Sequence, residues 1–147
     1  MIARSFGLGA LNAYLVAIVV AFRLHWLRMA ADEYSLRYYV TANGKSPFEE
    51  WFDGLSESDH VAASRVKTRL DRLRLGNFGD SRRLREGVSE LRIDVGPGYR
   101  VYFLQAGKAL IMLLCGGDKS TQKGDIARAL DYAADYRRRT NASQQIV

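Results

Sequence analysis

The stretch from Ser89 to Asp125 constrains the fold most, because short runs of alternating apolar and polar residues are separated there by glycine-rich turns. Every second residue from Leu91 to Val95 is apolar, which is typical of a strand buried on one face. The alternation resumes from Tyr99 to Phe103, beyond a Gly-Pro-Gly turn, and therefore predicts a hairpin. After a turn at Gly107, the run from Ala109 to Cys115 is apolar throughout and predicts a central strand covered on both faces.

The same stretch carries cations beside the predicted strands. Arg92 and Arg100 share a face of the hairpin if the register permits, and Lys119 and Lys123 follow the third strand. The chain of 147 residues has 22 Lys and Arg against 16 Asp and Glu, for a net charge of +6. This balance favours an anionic partner: nucleic acid first, then an anionic membrane surface or an acidic protein.

In the rest of the main domain, the sequence pattern predicts one more strand and three helices around this sheet. A strand is expected from Tyr34 to Thr41, because the run is rich in aromatic and β-branched residues. A short helix is expected to begin after Ser46, because Glu49 follows three residues on and a proline occupies the first helical position. Gly54 is expected to end this helix. A second, longer helix is expected from Ser56 to Leu75, and a last one from Thr121 to Arg138.

The second predicted helix has an apolar stripe at Val66, Leu70 and Leu73, and cations on its other faces. Two interpretations of these cations stay open: a solvated helix face, or a surface that binds RNA or a protein partner. Under the second interpretation, Arg69 and Arg72 are the candidate RNA contacts.

Residues 1–29 differ from the rest in their apolar composition, with the run FGLGALNAYLVAIVVAF between flanking charges. Such a segment resembles a signal peptide or a marginal membrane span. Three interpretations stay open: Met29 is the true start, the segment is an amphipathic or packing helix, or it is a membrane anchor. We therefore expect an extension over 1–29, one domain over 30–139 and a flexible tail over 140–147.

Cysteine and histidine usage predicts neither a disulfide nor a zinc site. Cys115 is the single cysteine and lies in an apolar run, which indicates a buried, inert thiol. His25 and His60 are far apart in the sequence, and we interpret both as structural or incidental. No metal and no other cofactor is expected.

The run LRLGNFGDSRRLREGVSELRIDVGPGYRVYF, followed by LLCGGDKSTQKGDIARA, resembles the RelE/ParE superfamily of bacterial toxin–antitoxin systems. Within it, the resemblance is to the HigB-like group of addiction module killer proteins. The resemblance covers Tyr34 to Arg139 and leaves out residues 1–29, which such toxins lack. It implies an α+β fold: a small curved antiparallel sheet, two helices packed on one side, and a C-terminal helix.

The resemblance also implies a function. Toxins of this kind cleave mRNA in the ribosome without a metal, inhibit translation, and are silenced by a cognate antitoxin. In this group the antitoxin usually carries a helix-turn-helix DNA-binding domain. We therefore expect a cytoplasmic endoribonuclease whose partners are the antitoxin, mRNA and the ribosome, with no small-molecule cofactor and no membrane partner.

The site residues are carried over position by position. The arginine of the Gly-Tyr-Arg segment corresponds to Arg100, which is expected to stabilise charge on the phosphate. Arg92 lies two residues after Glu90 and corresponds to a basic residue of the family. Glu90 itself stands where RelE has a lysine. Lys119 corresponds to a RelE arginine in the loop after the central strand, and Lys123 adds charge from the start of the last helix.

The general base has no clear counterpart. RelE carries a catalytic tyrosine near the start of its last helix, and the matching position here is Ala127. Tyr102, or a lysine with a lowered pKa, is the candidate replacement. Two other functions stay open: a ParE-like toxin that inhibits DNA gyrase, and a catalytically impaired module that only binds the antitoxin.

Overall fold

The computed structural model describes residues 8–31 and 33–145. Residues 1–7 of the predicted extension and 146–147 of the predicted tail lie outside the described residues. The chain divides into two compact units, Met1–Glu33 and Tyr34–Val147.

In its described residues, the first unit contains one helix, α1 (Leu8–Ala31). Its side chains from position 11 to position 27 are exposed, and large apolar ones such as Tyr14, Phe22 and Trp26 are among them. Across the described residues, no helix combines the length and the apolar character needed to cross a membrane. The origin and role of this segment remain predictions.

The second unit is α+β and is built on a five-stranded mixed sheet with the strand order β1-β5-β4-β3-β2. Four of its strands pair antiparallel, as expected, whereas β1 pairs parallel to β5. The expectation of a purely antiparallel sheet is therefore wrong at one edge. A parallel pair needs a long crossover connection, and the chain between these two strands contains two helices and the other three strands. The strands are β1 (Ser35–Tyr38), β2 (Ser81–Arg83), β3 (Val88–Ile93), β4 (Tyr99–Gln105) and β5 (Leu110–Asp118).

Three helices complete the unit: α2 (Pro47–Ser58), α3 (His60–Arg74) and α4 (Gln122–Gln144). Ser46 caps α2 as predicted, by accepting a hydrogen bond from the backbone N–H of Glu49. Gly54, however, does not end this helix. A Cβ at position 54 would meet nothing within 4 Å, and the next residue, Leu55, is buried in the core, so packing carries the helix past the glycine.

The boundaries of the other two helices also differ from the prediction. Asp59, rather than Ser56, caps α3, because its carboxylate accepts from the backbone N–H of Ala62 at 2.9 Å. α4 continues to Gln144 instead of ending near Arg138.

The two faces of the sheet carry separate cores. One core lies between the sheet and α2 and α3 and contains Phe48, Val66, Leu73, Val101 and Leu113. The other lies under α4 and contains Tyr102, Leu114, Cys115, Ala129 and Ala133. The prediction that the third strand of the run is covered on both faces is confirmed, because β5 contributes to both cores.

A β-bulge separates the two ends of β5. Tyr102 of β4 faces Cys115, but Phe103 faces Leu113, so Leu114 is an extra residue on β5. Leu114 and Cys115 therefore both lie on the α4 face, and the alternation of the strand is shifted beyond them.

Two glycines follow this bulge and lie close to side chains on opposite faces of the sheet. A Cβ on Gly116 would collide with the ring of Trp51 from α2, and one on Gly117 would collide with the carboxylate of Asp125 from α4.

Candidate functional site

Arg92 and Arg100 lie directly opposite each other in the antiparallel β3–β4 pair, which confirms the predicted hairpin. In the next row of the same face, Arg82 of β2 pairs with Glu90 of β3, which in turn pairs with Tyr102 of β4. Three arginines and one carboxylate are thus neighbours on the α4 face of the sheet.

Glu90 is fully buried and is the common partner of this cluster. Its Oε1 atom accepts a hydrogen bond from Nε of Arg92 at 3.1 Å, and lies 3.8 Å from Nη2 of Arg82 and 3.9 Å from Nε of Arg100. Its Oε2 atom accepts from Nε2 of Gln122 at 2.6 Å and from the Tyr102 hydroxyl at 3.4 Å. One carboxylate therefore joins β2, β3, β4 and the first turn of α4.

The surroundings keep Glu90 ionised. Burial by itself raises the pKa of this carboxyl, but hydrogen bonds from Gln122 and Arg92 and the charges of Arg82 and Arg100 outweigh burial and lower the pKa below its ordinary value. This carboxylate neutralises one of the three guanidinium groups, and the more exposed acids Asp80 and Asp94 lie 3.8 Å from Nη1 of Arg92 and 3.9 Å from Nη1 of Arg100.

Arg100 is the most buried of the three arginines, with a side chain about one tenth exposed. Its Nη1 atom donates to the backbone carbonyl of Tyr99 at 3.1 Å and lies 3.9 Å from Oδ1 of the exposed Asp94. Its Nε atom is buried and has no hydrogen-bond partner within the described residues. The charge of Arg100 is therefore held by ion pairs and one carbonyl, with donor capacity left over.

Lys119 lies beside Arg100 because of the turn between β3 and β4. Its backbone N–H donates to the carbonyl of Gly98 at 2.8 Å. A Cβ on Gly98 would lie 3.7 Å from Nη1 of Arg100 and 3.8 Å from Cβ of Lys119, so both side chains flank this glycine. The structure thus brings Arg92, Arg100 and Lys119 to the same end of the sheet.

Tyr102, the candidate general base, is completely buried under α4. Burial raises the pKa of its hydroxyl well above the ordinary value, and the charge of Glu90 adds to the effect. The phenol therefore stays protonated at neutral pH and donates to Glu90, which makes it a poor base. Its position instead suits the support of Glu90.

Lys123 and Ala127 lie on exposed parts of the first two turns of α4. Glu90 takes its hydrogen bond from this helix through Gln122 instead of Lys123. The other two candidate RNA contacts are on α3. Arg69 is half-buried, and its Nη2 atom donates to the carbonyl of Phe78 at 3.2 Å, whereas Arg72 is exposed. Arg69 and Arg72 line a groove together with Arg92.

Sequence reasoning missed three members of the cluster: Arg82, Glu90 and Gln122. The spacing of Glu90 and Arg92 places both side chains on one face of a strand, and this was the available signal for Glu90. Nothing local in the sequence indicates that Gln122 reaches β3. Within the part of the chain that the structure describes, no three His, Cys, Asp or Glu side chains are grouped so as to hold a metal ion.

Comparison with known proteins identifies a bacterial relative. No model of a known protein family matches the chain. The chain is 46% identical over 82 residues to an uncharacterized protein of Haemophilus influenzae, and the matched part is 56% of this chain and 81% of that protein.

Proposed function

The chain belongs to the family of that uncharacterized Haemophilus influenzae protein, and we propose that it is the RelE/ParE-like toxin of a type II toxin–antitoxin module. In this proposal it is a metal-independent, ribosome-associated mRNA endoribonuclease that inhibits translation, and a cognate antitoxin silences it. The observation that carries the proposal is the opposed pair Arg92 and Arg100, held on one sheet face by the buried carboxylate of Glu90.

Such a cluster suits the phosphodiester group. Arginine offers a fixed positive charge and two parallel N–H donors that match the oxygens of a phosphate. Glu90 fixes the guanidinium groups in advance, so their orientation costs little when charge develops on the phosphate. Lys119 adds a point charge at the same end of the sheet.

The proposed reaction is a transesterification within the RNA. The 2′-oxygen of one nucleotide forms a bond with the adjacent phosphorus, and the bond from phosphorus to the 5′-oxygen of the next nucleotide breaks. The products are a 2′,3′-cyclic phosphate and a 5′-hydroxyl. The extra negative charge on the pentacoordinate phosphorus is what Arg100 and Arg92 stabilise.

Both proton transfers are assigned to solvent. The proton of the 2′-hydroxyl goes to water or hydroxide, and the leaving 5′-oxygen takes a proton from water. Tyr102 is not given this role, because its hydroxyl is buried and its pKa is raised. The Tyr102 hydroxyl instead donates to Glu90 and contributes to the stability of the fold.

Primer extension on mRNA in a translating extract tests the proposal. The purified chain should create new 5′ ends, and Arg100→Ala should lower the cleavage rate by about a hundredfold or more. Arg100→Lys keeps the charge but loses the planar fork, so a large loss is expected there as well. Lys108→Ala is the control: it removes one positive charge from the turn after β4, and this variant should cleave mRNA at the normal rate. Intact mRNA with the unaltered chain would defeat the proposal, and full activity of Arg100→Ala would defeat the site.

One observation favours a second candidate, a ParE-like inhibitor of DNA gyrase. Ala127 is an exposed residue of α4, at the position where RelE carries its catalytic tyrosine. Gyrase inhibition needs no nuclease site, so the substitution would be harmless there. Inhibition of DNA supercoiling by the purified chain, with mRNA left intact, would select this candidate.

A further inference from the structure

A second cationic surface lies on the other side of Arg92. Arg65, Thr68, Arg69 and Arg72 follow one another at helical spacing and form one face of α3. Together with Arg92 and the three residues that follow it in the chain, this face encloses a groove of about 340 Å³. Four arginines thus line one groove.

The charges of Arg65 and Arg72 are not neutralised by the protein. Neither has an acidic partner within the described residues, and both side chains are exposed. On a different face of the same helix, Lys67 pairs with Asp71 at 3.3 Å. The acid that lines the groove, Asp94, is four-fifths exposed and lies 3.9 Å from Nη1 of Arg100. The groove therefore has a surplus of positive charge.

Arg69 has a structural role in this groove. Its guanidinium donates to the carbonyl of Phe78 at 3.2 Å and packs so closely on Gly79 that a Cβ there would lie 2.6 Å from Nη1. Arg69 thereby fixes the chain that leads into β2. Arg65 and Arg72 are left as the arginines able to contact a ligand.

We propose that this groove binds the phosphate backbone of single-stranded RNA, through Arg65 and Arg72, on the strand that continues from the Arg92–Arg100 site. Arg92 belongs to both surfaces: its Nε atom donates to Glu90, and the residue is part of the groove lining. Arg92 is therefore the residue at which a bound backbone would pass from one surface to the other. The proposal rests on the proposed function for the choice of RNA as the polyanion.

The composition of the groove fits a polyanion better than a protein. Tight protein interfaces combine arginine with aromatic anchors, Trp and Tyr above all, and no aromatic residue is among the described residues that line this groove. The apolar residues at this end of β3 are already buried or half-buried within the domain: Ile93 is in the core and Val95 packs against it. What the groove offers to a ligand is guanidinium groups.

Fluorescence anisotropy with a short labelled single-stranded RNA tests the groove without any cleavage step. The variant Arg65→Ala/Arg72→Ala should bind RNA at least tenfold more weakly at low salt. The slope of log K against log salt should fall by about 0.7 for each phosphate that the variant no longer neutralises. Lys67→Ala is the matched control: it removes one charge from the same helix outside the groove and should leave the slope unchanged. Arg100→Ala in the extract reports the cleavage site separately.

The outcomes separate the two proposals. Unchanged affinity and slope in the double variant would overturn the groove, and so would an equal effect of Lys67→Ala, which would show a non-specific charge effect. Stronger competition by polyglutamate than by unlabelled single-stranded RNA of equal charge would assign the groove to an acidic protein and overturn the proposal. Groove-dependent RNA binding by a chain that never cleaves mRNA would support the groove and defeat the nuclease.

Discussion

Nε of Arg100 lies 3.9 Å from Oε1 of Glu90, too far for a hydrogen bond, and it has no other acceptor within the described residues. A buried donor without a partner costs about 1–3 kcal/mol of stability. Arg100 is therefore oriented by ion pairs and by its hydrogen bond to the Tyr99 carbonyl, while its Nε donor stays unused. We expect a guanidinium held in this way to turn towards a phosphate without breaking a hydrogen bond at Nε.

Glu90→Ala should destabilise the fold strongly. The change leaves the Arg100 guanidinium buried without its carboxylate partner, and Arg82 and Arg92 lose the same partner. Removing one member of a buried ion pair costs about 3–5 kcal/mol of folding stability. Urea unfolding followed by circular dichroism measures the loss. Glu57→Ala, which removes an exposed acid from α2, is the control and should stay within about 0.5 kcal/mol. Equal stability of the two variants would show that Glu90 does not hold the cluster.

Glu90 should also make stability depend on acid pH. Its pKa in the folded chain is below the ordinary value of 4.5, so its contribution is present above pH 4.5 and is lost as the pH falls through the folded value. The side chain of the Glu90→Gln variant cannot ionise, so the free energy of unfolding of this variant should fall less steeply over that acid range. Parallel slopes for the two proteins below pH 4.5 would contradict the lowered pKa.

Tyr102→Phe should leave the chemistry almost unchanged. If solvent carries both protons, the cleavage rate of the variant should stay within about threefold and the pH profile should keep its shape. Loss of the hydroxyl that donates to Glu90 should cost stability of about 1 kcal/mol. A hundredfold loss of rate in a stably folded variant would instead make Tyr102 the base.

Two glycine substitutions should change stability in opposite directions. Gly116→Ala drives a Cβ into the Trp51 ring, and overpacking of this kind costs about 1–3 kcal/mol. Gly54→Ala adds a methyl group where nothing lies within 4 Å, inside α2, and should stabilise the fold by about 0.5–1 kcal/mol. Thermal unfolding of both variants beside the unaltered chain gives the signs. A stable Gly116→Ala variant would show that Trp51 moves aside freely.

Cys115 should resist thiol reagents until the domain unfolds. Burial raises the pKa of this thiol to about 12, and the charge of Asp125 contributes. At pH 8 the thiolate fraction is then about a thousandfold below that of a thiol with the ordinary value. Because Cys115 is the single cysteine, absorbance on reaction with a disulfide reagent reports it alone. Rapid labelling of the folded protein would contradict its burial.

The sequence predicts which residues share a face of the hairpin, but it does not predict which elements pack over each face. Alternation on either side of the Gly-Pro-Gly turn predicts that Arg92 and Arg100 share one face if the register permits, and the observed register pairs them directly. It does not tell whether that face is open or covered. Glu90 is fully buried because Gln122 reaches it from α4, and that contact depends on how the last helix docks.

Two local signals were overridden by tertiary packing. Gly54 is typical of a helix end, yet Leu55 beyond it is buried and the helix continues. The segment Ser35–Tyr38 was identifiable as a strand, but strand propensity does not specify the partner or its direction. The long connection between the two strands permits the parallel pairing with β5 but does not dictate it.

The extra residue Leu114 has a consequence for how sequences of this family can diverge. A deletion of Leu114 would make the pairing of β5 with β4 regular and would keep Cys115 and the two glycines on their present faces, because Phe103 and Tyr102 already face Leu113 and Cys115 in succession. Trp51 would still lie against Gly116, and Asp125 would still lie against Gly117. We expect relatives to differ by one residue at this bulge and to keep the two glycines that follow it.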